Sequence, residues 1–150
     1  MRRTLGWGTL LLFVTVTLGA CASAGPAPTS PSLYKRLGGR EGIAIVVDDF
    51  TATMAADSRV NARFKDMKPA DVQTFKSNLS DQICDATGGP CSYLGKGMKA
   101  AHAGMKITEE EWTATVENLV KALDKNNVAA GSKQELLGLL GPMKKDIVGQ

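Results

Sequence analysis

The chain has 150 residues, 43% of them hydrophobic and 22% charged, which is room for one globular domain of ordinary composition. Its formal charge of +3 rests partly on Arg2 and Arg3; without them 16 basic residues face 15 acidic ones. So even a balance leaves no footprint for a polyanion, and nucleic acid is not expected as a partner.

Residues 1–20 carry the parts of a secretory signal: Arg2 and Arg3, an apolar run over 10–18, then Gly19 and Ala20. Thr15 and Thr17 interrupt the run, which is too short to span a bilayer comfortably. The residues alone allow a cleaved signal or an uncleaved anchor. Leu18-Gly19-Ala20-Cys21, however, resembles the lipobox of bacterial lipoproteins. That resemblance implies cleavage before Cys21 and lipidation of its sulfur, with several acyl chains giving stable attachment. The implied location is the bacterial cell envelope, lipid-anchored on the periplasmic face. Ala22, where an aspartate commonly retains lipoproteins at the inner membrane, favours the outer membrane if there is one. Residues 21–32 then form a Pro-, Ser- and Ala-rich tether, and the folded domain covers 33–150.

The domain reads as all-α. Leu33, Tyr34 and Leu37 start a helical turn that Gly38-Gly39 stops, and Ile43, Val46, Val47, Phe50 and Met54 follow at helical steps. Asp57 caps a turn in which Val60 and Phe64 pack inward. Pro69 suits the first position of a helix that buries Val72, Phe75, Leu79 and Ile83 before Gly88-Gly89-Pro90. Thr108–Glu111 reads as a capping box for a helix presenting Trp112, Val116, Leu119, Val120 and Leu123. Ser132 and Glu135 repeat that start signal, and Pro142 is expected to kink the helix carrying Leu136, Leu137, Leu140, Met143 and Ile147. No segment sustains period-two alternation between hairpin turns, so strands are not expected.

The stretch 88–107 holds the only histidine, His102. Met98, Ala101, His102 and Met105 share one helical face. An imidazole there is either a hydrogen-bonded core residue or the axial ligand of a haem, and spacing alone leaves both open. Cys84 and Cys91 bracket the glycine joint; outside the inner membrane a disulfide is the default for them, and a redox pair is the alternative.

Taken together, these words of sequence resemble the truncated haemoglobins, group I, along nearly the whole domain. The matches are Leu33-Tyr34 and Leu37-Gly38-Gly39, Val46-Val47-Asp48-Asp49-Phe50, Ala56-Asp57-Ser58-Arg59-Val60 with Phe64, Gly88-Gly89-Pro90 with Tyr93 and Gly95, and Met98 through Gly104 around His102. The resemblance implies a two-on-two helical sandwich around non-covalently held haem b. His102 would be the proximal iron ligand, Phe64 would stack on the haem, and Tyr93 and Met98 would line its edge. Phe75, Lys76, Leu79, Ile107 and Trp112 complete the expected cofactor contacts, with Phe50, Thr51, Val72 and Lys76 as the distal pocket. Cys-x-x-Cys-His, the motif of covalent c-type attachment, does not occur.

The distal side departs from the family. Thr51 stands where many members carry a tyrosine that donates to the ligand, and Val72 and Lys76 stand where glutamines are common. Thr51 and Gln73 either donate to a ligand or are locally bonded. Lys76 has four readings: donor to a ligand, partner of a propionate, ligand of the iron, or a side chain reaching solvent. The family resemblance implies reversible binding of dioxygen, nitric oxide or carbon monoxide, or oxidation of nitric oxide to nitrate with an external reductase. An electron-transfer or sensing haem protein with Lys76 as sixth ligand is the second reading. A haem-less adaptor of globin fold is the third.

Overall fold

The computed structural model describes residues 30–150. The signal segment, Cys21 and most of the tether lie outside them. Among the described residues are six α-helices: α1 (Leu33–Arg36), α2 (Gly39–Ala56), α3 (Pro69–Ala86), α4 (Met98–His102), α5 (Glu109–Lys125) and α6 (Ala130–Leu140). Two 3-10 turns, Asn61–Arg63 and Gly141–Asp146, complete the framework. The only β feature among the described residues is one bridge pairing Ile107 with Val148.

Local backbone chemistry sets several helix ends. Gly38 and Gly39 take φ of 86° and 68°, which lets the chain turn out of α1 directly into α2. α2 therefore starts four residues before its first core side chain, Ile43. Pro69 occupies the first turn of α3, where an N–H would have no partner. At α5 the capping box is complete: Thr108 Oγ1 accepts from Glu111 N at 3.1 Å, and Glu111 Oε2 accepts from Thr108 N at 2.8 Å.

Two expectations at the C-terminal end are corrected. Ser132 does not cap α6, because the helix begins at Ala130 and Ser132 already lies inside its first turn. Its buried hydroxyl instead accepts from Arg36 Nη1 at 3.4 Å, and Arg36 also pairs with Glu135. Pro142 does not kink a continuing helix. α6 stops at Leu140, and Pro142 opens the 3-10 turn that carries Met143.

α2 is the central helix, packed against both α3 and α5, while α1 bridges α2 and α6 and α4 lies against the turn Gly141–Asp146. Ile43, Val46, Val47 and Phe50 of α2 meet Ile83, Leu119, Leu123 and Leu136 in the core. On α5 the residues Ala114, Asn118 and Ala122 form a buried stripe at four-residue spacing, and Asn118 Nδ2 donates to Asp57 Oδ2 at 2.9 Å. A disulfide joins Cys84 at the end of α3 to Cys91 in the segment leading to α4, with Cα atoms 5.8 Å apart. The last residues are tied back as well: Gly149 N donates to Ile107 O at 2.9 Å.

Candidate functional site

Between these elements lies a cavity of about 590 Å³. α2 lines it with Phe50 and Met54, and α3 with Phe75, Asn78, Leu79, Gln82 and Ile83. The segment around α4 contributes Tyr93, Met98, Ala101, His102, Met105 and Ile107. α5 adds Glu111, Trp112, Thr115, Val116 and Leu119, and the C-terminal region adds Leu137, Leu140, Met143 and Ile147. Its side chains are mostly apolar, which explains why α3 buries so little against protein. Phe75 and Leu79 are only partly buried because they face this space.

His102 sits in the last turn of α4, a helix of five residues. Its Nδ1 is 2.8 Å from the carbonyl oxygen of Met98. A carbonyl only accepts, so Nδ1 carries the proton and Nε2 of the neutral ring keeps a free lone pair. Among the described residues, no three His, Cys, Asp or Glu side chains gather to hold a metal ion. A metal on His102 must therefore bring most of its other ligands with it, as a haem iron does.

Phe64 and Phe75 close part of the cavity edge to face, with ring centroids 5.6 Å apart. Arg63, another lining residue, reaches across to α5: its Nε and Nη2 donate to Glu111 Oε1 and Oε2 at 2.7 and 2.9 Å. Nη1 of Arg63 donates to Met105 O at 2.8 Å. The Arg63 bonds hold the Glu111 carboxyl below its ordinary value, and Glu111 in turn raises the arginine.

The expected contacts divide. Phe50, Phe64, Phe75, Leu79, Tyr93, Met98, His102, Ile107 and Trp112 all line the cavity; Thr51, Val72 and Lys76 do not. Thr51 is buried inside the α2 packing, where its hydroxyl donates to Val47 O at 2.7 Å. Lys76 turns toward α2 and pairs with Asp48 at 3.0 Å. Gln73 is exposed, and Val72 is only half-buried, away from the cavity. Phe75 and Leu79, both expected, share the inward face of α3 with Asn78 and Gln82, at steps of three and four.

Asn78, Gln82, Arg63 and Met143 were not anticipated from the sequence. Arg63 and Met143 lie in 3-10 turns, where helical periodicity gives no signal. Gln82 is the most telling, since its Nε2 lies 3.4 Å from both Met98 Sδ and Met143 Sδ, linking α3 to the α4 side.

The residues present fit a flat, largely apolar prosthetic group carrying a metal with an open axial position: volume, lining and a single free imidazole nitrogen agree. Comparisons with known proteins agree as well. A family model described as bacterial-like globin matches residues 32–148. The group 1 truncated hemoglobin GlbN of Mycolicibacterium paratuberculosis is 29% identical over 116 residues, covering 77% of this chain and 83% of that protein. The crystal structure of truncated hemoglobin from Tetrahymena pyriformis in its Fe(III) form superposes with a TM-score of 0.74 at 29% identity, covering 80% of this chain and all of that one. The 2/2 hemoglobin of Synechococcus, solved in the cyanomet state with covalently attached heme, gives a TM-score of 0.71 at 30% identity, over 79% of this chain and 98% of the other. With a matched model spanning its whole helical domain, the chain belongs to the bacterial-like globin family.

Proposed function

We propose that this protein holds haem b non-covalently in the 590 Å³ cavity and reversibly binds a diatomic gas there. The observation that carries the reading is His102, with Nδ1 tied to Met98 O at 2.8 Å and Nε2 left free in an apolar cavity. Haem, when bound, would supply an iron able to bind a gas. The protein's part is to hold it. His102 would hold the iron through Nε2, its ring orientation set by the Met98 carbonyl. Phe64, Phe75, Leu79, Tyr93, Met98, Ile107 and Trp112 exclude water around the macrocycle. Arg63, in its ion pair with Glu111, closes one edge.

Non-covalent attachment is supported by the sequence: His102 is the only histidine and is already assigned to the iron, and no Cys-x-x-Cys-His occurs. Lys76 as sixth ligand loses its support, because it lies off the cavity and is paired with Asp48. Oxidation of nitric oxide to nitrate would in addition need retained dioxygen and an external reductase, so reversible gas binding is the reading put first. The lipobox-like Leu18-Gly19-Ala20-Cys21 supports a lipid-anchored protein of the cell envelope, its domain held off the membrane by the tether.

The test is an absorption spectrum of the oxidised, reduced and carbon monoxide-treated protein. A Soret band that shifts with carbon monoxide is expected. His102→Gly should weaken or alter it, and added imidazole should restore it. A protein that stays colourless after haem reconstitution would sink the reading.

A further inference from the structure

Resting on the haem reading, the donor inventory of the cavity sets which gas it retains. Phe50 and Met54 from α2, with Phe75, Leu79 and Ile83 from α3, give a wall that is apolar apart from the amides of Asn78 and Gln82. The hydroxyl that the sequence places nearest, that of Thr51, is spent inside α2 on Val47 O at 2.7 Å and does not reach the cavity. Most of the remaining donors are engaged elsewhere. The Arg63 guanidinium is taken by Glu111 and Met105 O. The Tyr93 hydroxyl donates to Lys96 O at 2.7 Å, and that of Thr115 to Glu111 O at 2.7 Å. Gln82 directs its amide at the sulfurs of Met98 and Met143, and Asn78 is exposed to solvent. The donors of the lining left without a protein partner are the indole N–H of Trp112, on α5, and the solvent-exposed amide of Asn78, on α3.

We infer that this pocket selects neutral diatomics needing no hydrogen bond, carbon monoxide and nitric oxide, against dioxygen. Dioxygen gains partial negative charge on its outer atom when it ligates a ferrous centre, so its retention depends on a facing donor. Carbon monoxide and nitric oxide stay closer to neutral and depend on one far less. Distal polarity and donors are the protein's means of setting this choice. A hydrogen bond to a charged acceptor changes an equilibrium on the order of 10–100-fold, and that is the discrimination lost for dioxygen here.

The experiment uses the haem-loaded ferrous protein. Infrared spectroscopy of its carbon monoxide complex reads the field at the ligand, and stopped flow reads dioxygen release. The expected result is a single C–O stretch at the high-frequency end found where no donor faces the ligand, unmoved in Trp112→Phe. Leu79→Gln, which places an amide on the apolar wall, should add a lower-frequency band and slow dioxygen release on the order of 10–100-fold. Phe75→Gln serves as the second variant where Leu79→Gln fails to retain haem. A low-frequency band in the unaltered protein, or a band that moves on Trp112→Phe, Gln82→Leu or Asn78→Leu, reveals a working donor and overturns the selectivity. A missing Soret band overturns the haem reading, and the selectivity with it.

Discussion

Arg63 and Glu111, 48 residues apart in sequence, meet in a two-pronged ion pair at the edge of the cavity. The same Glu111 completes the capping box of α5, so one carboxylate fastens the helix start and the Asn61–Arg63 turn together. This joint ties an element that holds Phe64 to the element that holds Trp112. Its integrity therefore bears on both stability and cofactor retention.

The pair should make stability acid-sensitive in a defined direction. Glu111 and Asp57 both titrate below their ordinary values, Glu111 chiefly through Arg63 and Asp57 chiefly through Arg59. A depressed carboxylate contributes stability above its unfolded pKa, and that contribution is lost as pH falls through the folded one. The melting temperature should thus drop as pH falls below the ordinary carboxylate range. Arg63→Gln should lower it at neutral pH, with the gap to the parent protein closing in acid. Thermal melts from pH 7 down to strongly acid conditions check this, and a gap independent of pH would contradict it.

Thr51 is assigned to packing rather than to the ligand. Thr51→Val keeps the shape and removes the hydroxyl that donates to Val47 O. The expected cost is about 0.5–1.5 kcal/mol in urea unfolding. Dioxygen and carbon monoxide rates should stay within about twofold, since a change below 0.5 kcal/mol is all that a side chain off the cavity should transmit. A larger rate change would put the hydroxyl back in the pocket.

The disulfide braces the joint between α3 and the segment carrying Tyr93 and His102. Closing so short a loop contributes about 2–3 kcal/mol on the chain-entropy account. Cys84→Ser with Cys91→Ser, or full reduction of the parent chain, should lower the denaturation midpoint accordingly. Haem should also leave the double variant faster, as measured by transfer to a scavenging apoglobin. Equal haem loss in both proteins would confine the bridge to stability.

Gly42 tests the α1–α2 turn. A Cβ there would lie 2.1 Å from Leu37 O, a backbone atom that cannot swing aside. Gly42→Ala should therefore cost more than about 2 kcal/mol, by breaking the close approach of the two helices. Gly97, with φ of −57° and open space around its Cβ position, is the control, and Gly97→Ala should be near neutral. Paired urea titrations of the two variants decide the matter.

The sequence by itself determined what depends on short-range chemistry. Thr108 and Glu111 satisfy each other's backbone across one helical turn, Pro69 can only open a helix, and Gly38-Gly39 supply the left-handed turn. His102 on an apolar face beside Met98 is local in the same sense, because its tautomer is set by a carbonyl four residues earlier. Tertiary structure decided everything that rests on which way a helix is rolled. Each residue turns an α-helix by about 100°, so neighbours in sequence such as Phe75 and Lys76 point to different sides. Val72 and Lys76 were expected in the pocket beside Phe75 and Leu79, and of the four only Phe75 and Leu79 line it, joined by Asn78 and Gln82. Ser132 followed the same rule: its spacing to Glu135 matched a cap, but Arg36 from the far end of the domain claimed both side chains. The buried stripe Ala114, Asn118 and Ala122 has too little apolar surface to announce itself, and only the close approach of α5 to α2 makes it core.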